Sequence, residues 1–346
     1  MKKLQFRCTL LTDVILNVKS ASVGANSTLD FIPGNCFLGI VASKLYDKIE
    51  PSEAMKLFHS GLVRFGDAHP AMNGIRGLRI PASFYYAKGD NITNNCYIHH
   101  FIDNADSINA SNGAKAQLKQ SRTGFYVMNE VEGKEIKTDK SFALKSAYDN
   151  EKRRSKDRAM YGYESLSKDL ELLFTVEMDD DEMAEKMTDA LVRERCIGRS
   201  RTAQYGLVNI EKSEYADIES YNDSEMVVVY ADSRLIFLDE NGQPTFRPTV
   251  AQLLGKDAKG NISWKDCQIR TFQYSPWNYK RQCYDTDRCG IEKGSVIVIK
   301  GVDKAYKGSC YLGSYQNEGF GNVIMDWQSV SLLRIILKKI PSYSYL

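Results

Sequence analysis

A strong charge of one sign is missing: 46 lysines and arginines stand against 44 acids, a net of +2 over 346 residues. A protein that coats a long polyanion often carries a large cationic excess, so any nucleic-acid contact here must come from local patches. Cysteine pairs at metal-ligand spacing are also lacking. The eight cysteines (Cys8, Cys36, Cys96, Cys196, Cys267, Cys283, Cys289, Cys310) are scattered, with no two-residue gap of the kind zinc motifs use. No apolar run is long enough to span a bilayer. The basic start is interrupted by Thr9, Thr12, Asp13 and Asn17 and meets no small-residue cleavage site, so it reads as a strand and not as a signal peptide. Reduced thiols, a cytoplasmic setting and no membrane are the expectation.

Histidine is scarce, with four in the chain. His99 and His100 are adjacent and could act as base and acid, but neighbours in an extended chain point in opposite directions. His59 and His69 show no partner. The run Met178–Glu182, "MDDDE", could ligate a metal, yet acids opening a helix are what the helix dipole favours. Neither glycine loop described below ends in the Lys-Ser or Lys-Thr of a nucleotide-binding phosphate loop. No cofactor and no metal are therefore expected.

What is present is a repeated strand and helix vocabulary. Lys3–Asn17 alternates as one long strand. In "FIPGNCFLGIVASKLYDKI", Pro33-Gly34 breaks the chain, Asn35 is a candidate N-cap, and Phe37, Val41, Leu45 and Ile49 recur every four residues, the buried face of a helix. A polar stretch, Asn91–Gly113, reads as an inserted loop region. The segment Phe142–Tyr163 places Lys152, Arg153, Arg154, Lys156 and Arg158 on an extended hairpin or loop between aromatic pieces. "LELLFTVEM" is a strand, and "DDDEMAEKMTDALVRERC" an amphipathic helix with Met183, Met187, Ala190 and Leu191 on one face and arginines in its last turn. The second half repeats this order more loosely, with strands at "MVVVYADSRLIFL" and "GSVIVIKG" and a short helix near "TVAQLLG". The pattern predicts an α+β protein of two tandem ferredoxin-like (RRM-like) domains with glycine-rich loops and a long insertion, about 88–163, in the first. The expected domains are 1–212 and 226–346, joined by a polar linker, 213–225.

Two glycine loops carry the functional signal. "GRSRTAQYGLVNI" (Gly198–Ile210) and "GSYQNEGFGNVIM" (Gly313–Met325) align without gaps: Gly198 with Gly313, Tyr205 with Phe320, Gly206 with Gly321, Val208 with Val323. This is the signature of an internal repeat. Glycine permits positive φ and close chain approach, and successive turn N–H groups can form an anion-binding concavity. The first loop adds Arg199 and Arg201, preceded by Arg193 and Arg195, with Ser200 and Thr202, donors suited to phosphate. The second holds Glu318, Gly319 and Gly321 and no arginine. A glycine turn whose arginines are merely solvated at a helix end is the plainer alternative. Tyr205, Tyr161 and Tyr163 are candidates for base stacking, with a place in the core as the plainer reading of each.

These residues, with "FIPGNCFLGIVASKL" and "LFHSGLVRFGDAHP" in the same order, resemble the RAMP superfamily of CRISPR-associated proteins. The likeness is nearest to the type III (subtype III-D-like) effector subunit that binds the 5′ handle of CRISPR RNA. It covers the chain to about Ile210, and beyond that mainly "EGFGNV". The resemblance implies a subunit that grips the 5′ repeat-derived tag, abuts the large subunit, caps a filament of backbone subunits, meets target RNA only indirectly, and guides without cutting. By position, Gly198, Arg199, Ser200, Arg201 and Gly206 would line the RNA, and the basic run Lys152–Arg158 would form a thumb-like hairpin. Family members that process CRISPR RNA suggest an alternative, a metal-independent endoribonuclease using His99 or His100. A further alternative is a structural assembly subunit without RNA contact. Asp67 and Asp149 are the loop aspartates to watch for target cleavage.

Overall fold

Alternation of apolar and polar residues builds the first strand, β1 (Lys2–Leu10), which buries Phe6, Cys8 and Leu10 on one face. The computed structural model describes residues 2–18, 25–90, 96–99, 102, 115, 117–128, 133–178, 180–201, 204–215, 221–222, 226–278, 281–303, 306–307 and 310–325. His100, Thr202 and most of Asn91–Gly113 lie outside them. The strand stops at Leu10 and does not run on to Asn17, because the N–H groups of Leu11 and Thr12 both turn onto the Leu207 carbonyl (2.9 and 3.1 Å).

Strands and helices mix throughout, an α+β chain. It forms two compact units that interleave: Met1–Ala71, Lys137–Tyr215 and Gln273–Arg288 in the first, and Met72–Ile136, Ala216–Phe272 and Cys289–Leu346 in the second.

In the first unit, helix α1 (Gly34–Leu45) begins after Pro33, whose fixed φ suits the N-cap position. Asn35 therefore lies inside the first turn and does not cap it. The Gly34 N–H is satisfied instead by the Asp67 carboxylate at 2.8 Å. Phe37 and Val41 are fully buried, and Phe37 stacks on Phe174 with centroids 3.8 Å apart. The helix ends at Leu45, so Ile49 lies beyond the expected stripe. There follow β2 (His69–Met72), β3 (Lys140–Asp149), β4 (Arg154–Leu166), β5 (Glu171–Met178), helix α2 (Asp181–Leu191), β6 (Arg193–Cys196) and β7 (Leu207–Lys212). The sheet order is β6-β7-β1-β5-β2, antiparallel at each step.

Asp180 caps α2 by accepting from the Met183 N–H (3.1 Å), and Met183, Met187, Ala190 and Leu191 are buried as their spacing requires. The helix stops at Leu191, since Val192 is extended and Arg193 has φ 112°. Arg193 and Arg195 thus sit on β6 and not in a last helical turn. Strands β3 and β4 make the long hairpin anticipated from the sequence, paired from Lys140↔Leu166 to Asp149↔Arg154. One face of it exposes Phe142, Leu144, Tyr148 and Met160.

The second unit contains β8 (Met226–Ala231), α3 (Val250–Leu254), β9 (Asn261–Ile262), β10 (Val296–Lys300), β11 (Cys310–Tyr311) and β12 (Asn322–Met325). A capping box between Thr249 and Gln252 starts α3. The sheet order is β11-β12-β8-β10-β9. The two central strands keep one register: Thr9↔Glu171 and Leu10↔Val208 in the first sheet correspond to Tyr230↔Val296 and Ala231↔Val323 in the second. Leu78, Ile80, Phe84 and Tyr126 pack with β8 and β10 in one core, and the Tyr230 hydroxyl donates to the Arg79 carbonyl (2.7 Å).

Candidate nucleic-acid interface

The two glycine loops close on matching backbone hydrogen bonds. In the first, Ile197 N–H donates to Gly206 O (2.9 Å), Arg199 N–H to Ile15 O (3.0 Å), Gly206 N–H to Asp13 O (2.8 Å) and Leu207 N–H to the Thr12 hydroxyl (2.9 Å). In the second, Leu312 N–H donates to Gly321 O (2.8 Å), Ser314 N–H to Ile236 O (2.9 Å), Gly321 N–H to Arg234 O (2.9 Å) and Asn322 N–H to the Ser233 hydroxyl (2.8 Å). Each partner sits at the same offset from its central strand. The glycines are required by this geometry: Gly198 and Gly206 have φ 74° and 87°, Gly313 and Gly321 have φ 76° and 96°. A Cβ at these four would run into the carbonyl oxygens of Ile15, Ile197, Ile236 and Leu312 respectively. Even the non-glycine positive φ recurs, at Ser200 (55°) and its counterpart Tyr315 (62°).

Those backbone donors are committed to the protein, so the expected N–H concavity is not built from them. Anion chemistry falls to side chains, and there the loops part. Arg199 and Arg201 are exposed; their counterparts are Ser314 and Gln316. The Arg199 guanidinium lies 5.2 Å above the Tyr163 ring, and Lys145 Nζ lies 4.6 Å above the Tyr205 ring. Tyr163 meets Tyr161 (centroids 5.2 Å) and Tyr205 (6.5 Å), and with Ile15 they form a small cluster under the loop. Tyr163 and Tyr205 are buried, so they brace cations from below and do not offer faces to bases. Burial and then Asp67 push the Cys36 thiol up to about 12, and Arg201 opposes them.

Arg195 is occupied elsewhere. Its guanidinium donates to the carbonyls of Ala190 (2.7 Å) and Val192 (3.0 Å), closing the end of α2. Arg193 is exposed on β6. Lys152, Arg153, Arg154, Lys156 and Arg158 are all exposed at the far end of the hairpin, Arg154 pairing with Asp157 at 3.0 Å. The register shifts between Ser146↔Met160 and Tyr148↔Ser155, so Arg154, opposite Asp149, is four residues of β3 from the Lys145↔Tyr161 pair, or about 13 Å at the usual strand rise. Gly319 (φ 97°) ends a short turn in the second loop.

Sequence reasoning missed Lys145. Its signal was its register, since Lys145 opposes Tyr161 and shares the inward face of the hairpin. Both watched aspartates have structural work: Asp67 holds Gly34, and Asp149 accepts from Glu151 and Lys152 N–H (3.1 and 3.0 Å) to cap the hairpin turn. His99 lies in the second unit, its ring 5.7 Å from that of Tyr85. Among the described residues, no group of His, Cys, Asp and Glu could hold a metal ion, and no helix is long and apolar enough to cross a membrane.

No family model and no curated protein matches the chain. Solved structures do. A chain of the type III-B Cmr-beta complex bound to cognate target RNA and AMPPnP is similar at a TM-score of 0.49 and 12% identity, covering 85% of this chain and 86% of that one. A RAMP protein described as binding different RNA substrates is similar at 0.35 and 11%, over 94% and 99%. The product of a Cas6-related gene from Pyrococcus furiosus is similar at 0.34 and 9%, over 94% and 100%.

Proposed function

We propose that the chain is a non-catalytic RNA-binding subunit of a type III CRISPR effector complex, a RAMP protein whose first glycine loop grips the 5′ repeat-derived tag of the CRISPR RNA. One observation carries the reading. The second loop closes with the same hydrogen bonds while bearing Ser314 and Gln316, so Arg199 and Arg201 are not needed to form such a loop. Exposed arginines, Arg199 lying over the buried Tyr163 and Arg201 beside it in the loop, suit phosphate oxygens. Gly198, Ser200 and Gly206 shape the loop; the hairpin tip from Lys152 to Arg158 adds attraction indifferent to sequence. The motif resemblance supplies the partners: CRISPR RNA, the large subunit and the backbone subunits of the filament that this chain caps, with target RNA met indirectly. The order of strands and helices in the sequence supplies the reading of each sheet as a ferredoxin-like repeat, but the expected boundary at 213–225 does not divide the compact units, since Met72–Ile136 falls in the second and Gln273–Arg288 in the first.

The test is binding of labelled CRISPR RNA, with its 5′ tag intact or scrambled, to the purified protein, followed by a gel of the same RNA. Intact RNA retained in a tag-dependent way is expected. Cleaved RNA would overturn the non-catalytic reading, and no binding at low salt would overturn RNA contact altogether.

A further inference from the structure

A second exposed feature lies in the first unit, outside the glycine loop. The short strands Trp277–Asn278 and Cys283–Tyr284 form a hairpin in which Trp277 opposes Tyr284. Their rings meet edge to face, with centroids 4.9 Å apart and planes at 75°. Both stay open to solvent, at 49% and 45% exposure. Exposed aromatics on a floppy loop would mean little, but this hairpin is braced. Asp285 N–H donates to Pro276 O (2.8 Å), Arg281 N–H to the Asn278 side chain (3.1 Å), and the Arg281 guanidinium pairs with Asp285. The Asp287 carboxylate accepts from Gln273 (2.7 Å) and from the Ser275 hydroxyl. An edge-to-face pair held this way leaves a ring face presented at little further entropic cost.

The hairpin is rooted on the first turn of α1, where Asn35 donates to the Tyr274 hydroxyl at 2.6 Å, in the same unit as the proposed RNA loop. We infer that Trp277 and Tyr284 form a stacking platform for an unpaired nucleobase of the bound RNA. The inference rests on the RNA-binding reading. Aromatic stacking tolerates any base, so the platform adds affinity without choosing sequence.

The experiment measures affinity for a single-stranded polyuridine oligonucleotide and for its abasic counterpart, using the wild type, Trp277→Ala, Trp277→Phe and the double variant Arg199→Glu, Arg201→Glu. Trp277→Ala should weaken binding of polyuridine about 10-fold, with an unchanged salt dependence. Trp277→Phe should restore most of the loss, and the abasic strand should be indifferent to both. Wild-type affinity in Trp277→Ala, beside loss in the arginine variant, would overturn the platform and leave the RNA-binding reading standing. Equal loss on the abasic strand would also overturn it, as would intact RNA binding joined to failed assembly with protein partners. No binding by the wild type would instead defeat the underlying reading.

Discussion

The loops Gly198–Ile210 and Gly313–Met325 share a backbone and differ in charge. Both hang from the segment just after a central strand, through carbonyls two residues apart, Asp13 and Ile15 in one, Arg234 and Ile236 in the other, and both spend a hydroxyl, Thr12 or Ser233, on the strand that follows. Above that scaffold the first loop exposes Arg199 and Arg201, while the second turns its nearest arginine inward. Arg234 donates to both oxygens of Glu292 (2.9 and 3.0 Å) and lies 4.6 Å above the Phe272 ring, which stacks in turn on Phe320, the counterpart of Tyr205. The same architecture thus uses cations outward in one unit and inward in the other. Inward charge serves the fold, and outward charge is what the proposed RNA reading uses.

The comparison can be broken at its glycines. Gly206→Ala and Gly321→Ala should each destabilise the protein by about 3 kcal/mol, from the left-handed backbone and the collision with a carbonyl. Chemical denaturation would read this, and a large loss at one site beside tolerance at the other would show that the scaffolds are not equivalent. A smaller effect separates the loops. Arg234→Ala should cost about 2 kcal/mol, below the usual figure for a fully buried pair because Glu292 remains partly exposed. Burial alone would raise the Glu292 carboxyl; Arg234 prevails and holds it below its ordinary range. A depressed folded-state pKa stabilises above the unfolded value and is lost as pH falls through the folded one. The gap between wild type and Arg234→Ala should therefore be full at neutral pH and close on acidification. A gap that persists in acid would mean that Arg234 acts through packing on Phe272 alone.

Much of this was legible in the residues. The glycine spacing, the Tyr205 and Phe320 pairing and the alternating strand after each loop exposed the repeat, and the buried face of α2 followed from a period of 3.6 residues. The carbonyls that receive each loop were not legible. Asp13, Ile15, Arg234 and Ile236 act through backbone oxygens that leave no mark in side-chain pattern. Arg195 shows a second limit: an arginine near a helix end reads equally as a phosphate ligand and as a cap, and only the carbonyls of Ala190 and Val192 decide. Tyr163 and Tyr205 show a third, because an aromatic beside arginines can stack on a base or lie beneath the cations, and burial is set by long-range packing of the hairpin. Residues 72–136 carry no local sign of their place in the second unit, which rests on contacts such as Tyr230 with Arg79.

The most direct measurement is the salt dependence of CRISPR RNA affinity for the wild type, for Arg199→Ala with Arg201→Ala, and for Ser314→Ala with Gln316→Ala. Single-stranded RNA gives a slope of log affinity against log salt of about 0.7 per phosphate contacted, so removing both arginines should flatten it by about 1.4. Stability in that variant should stay within about 0.5 kcal/mol of wild type. The second-loop variant should keep the wild-type slope. An unchanged slope without the arginines, or an equal loss from the second loop, would contradict the division between a phosphate-holding loop and a structural one.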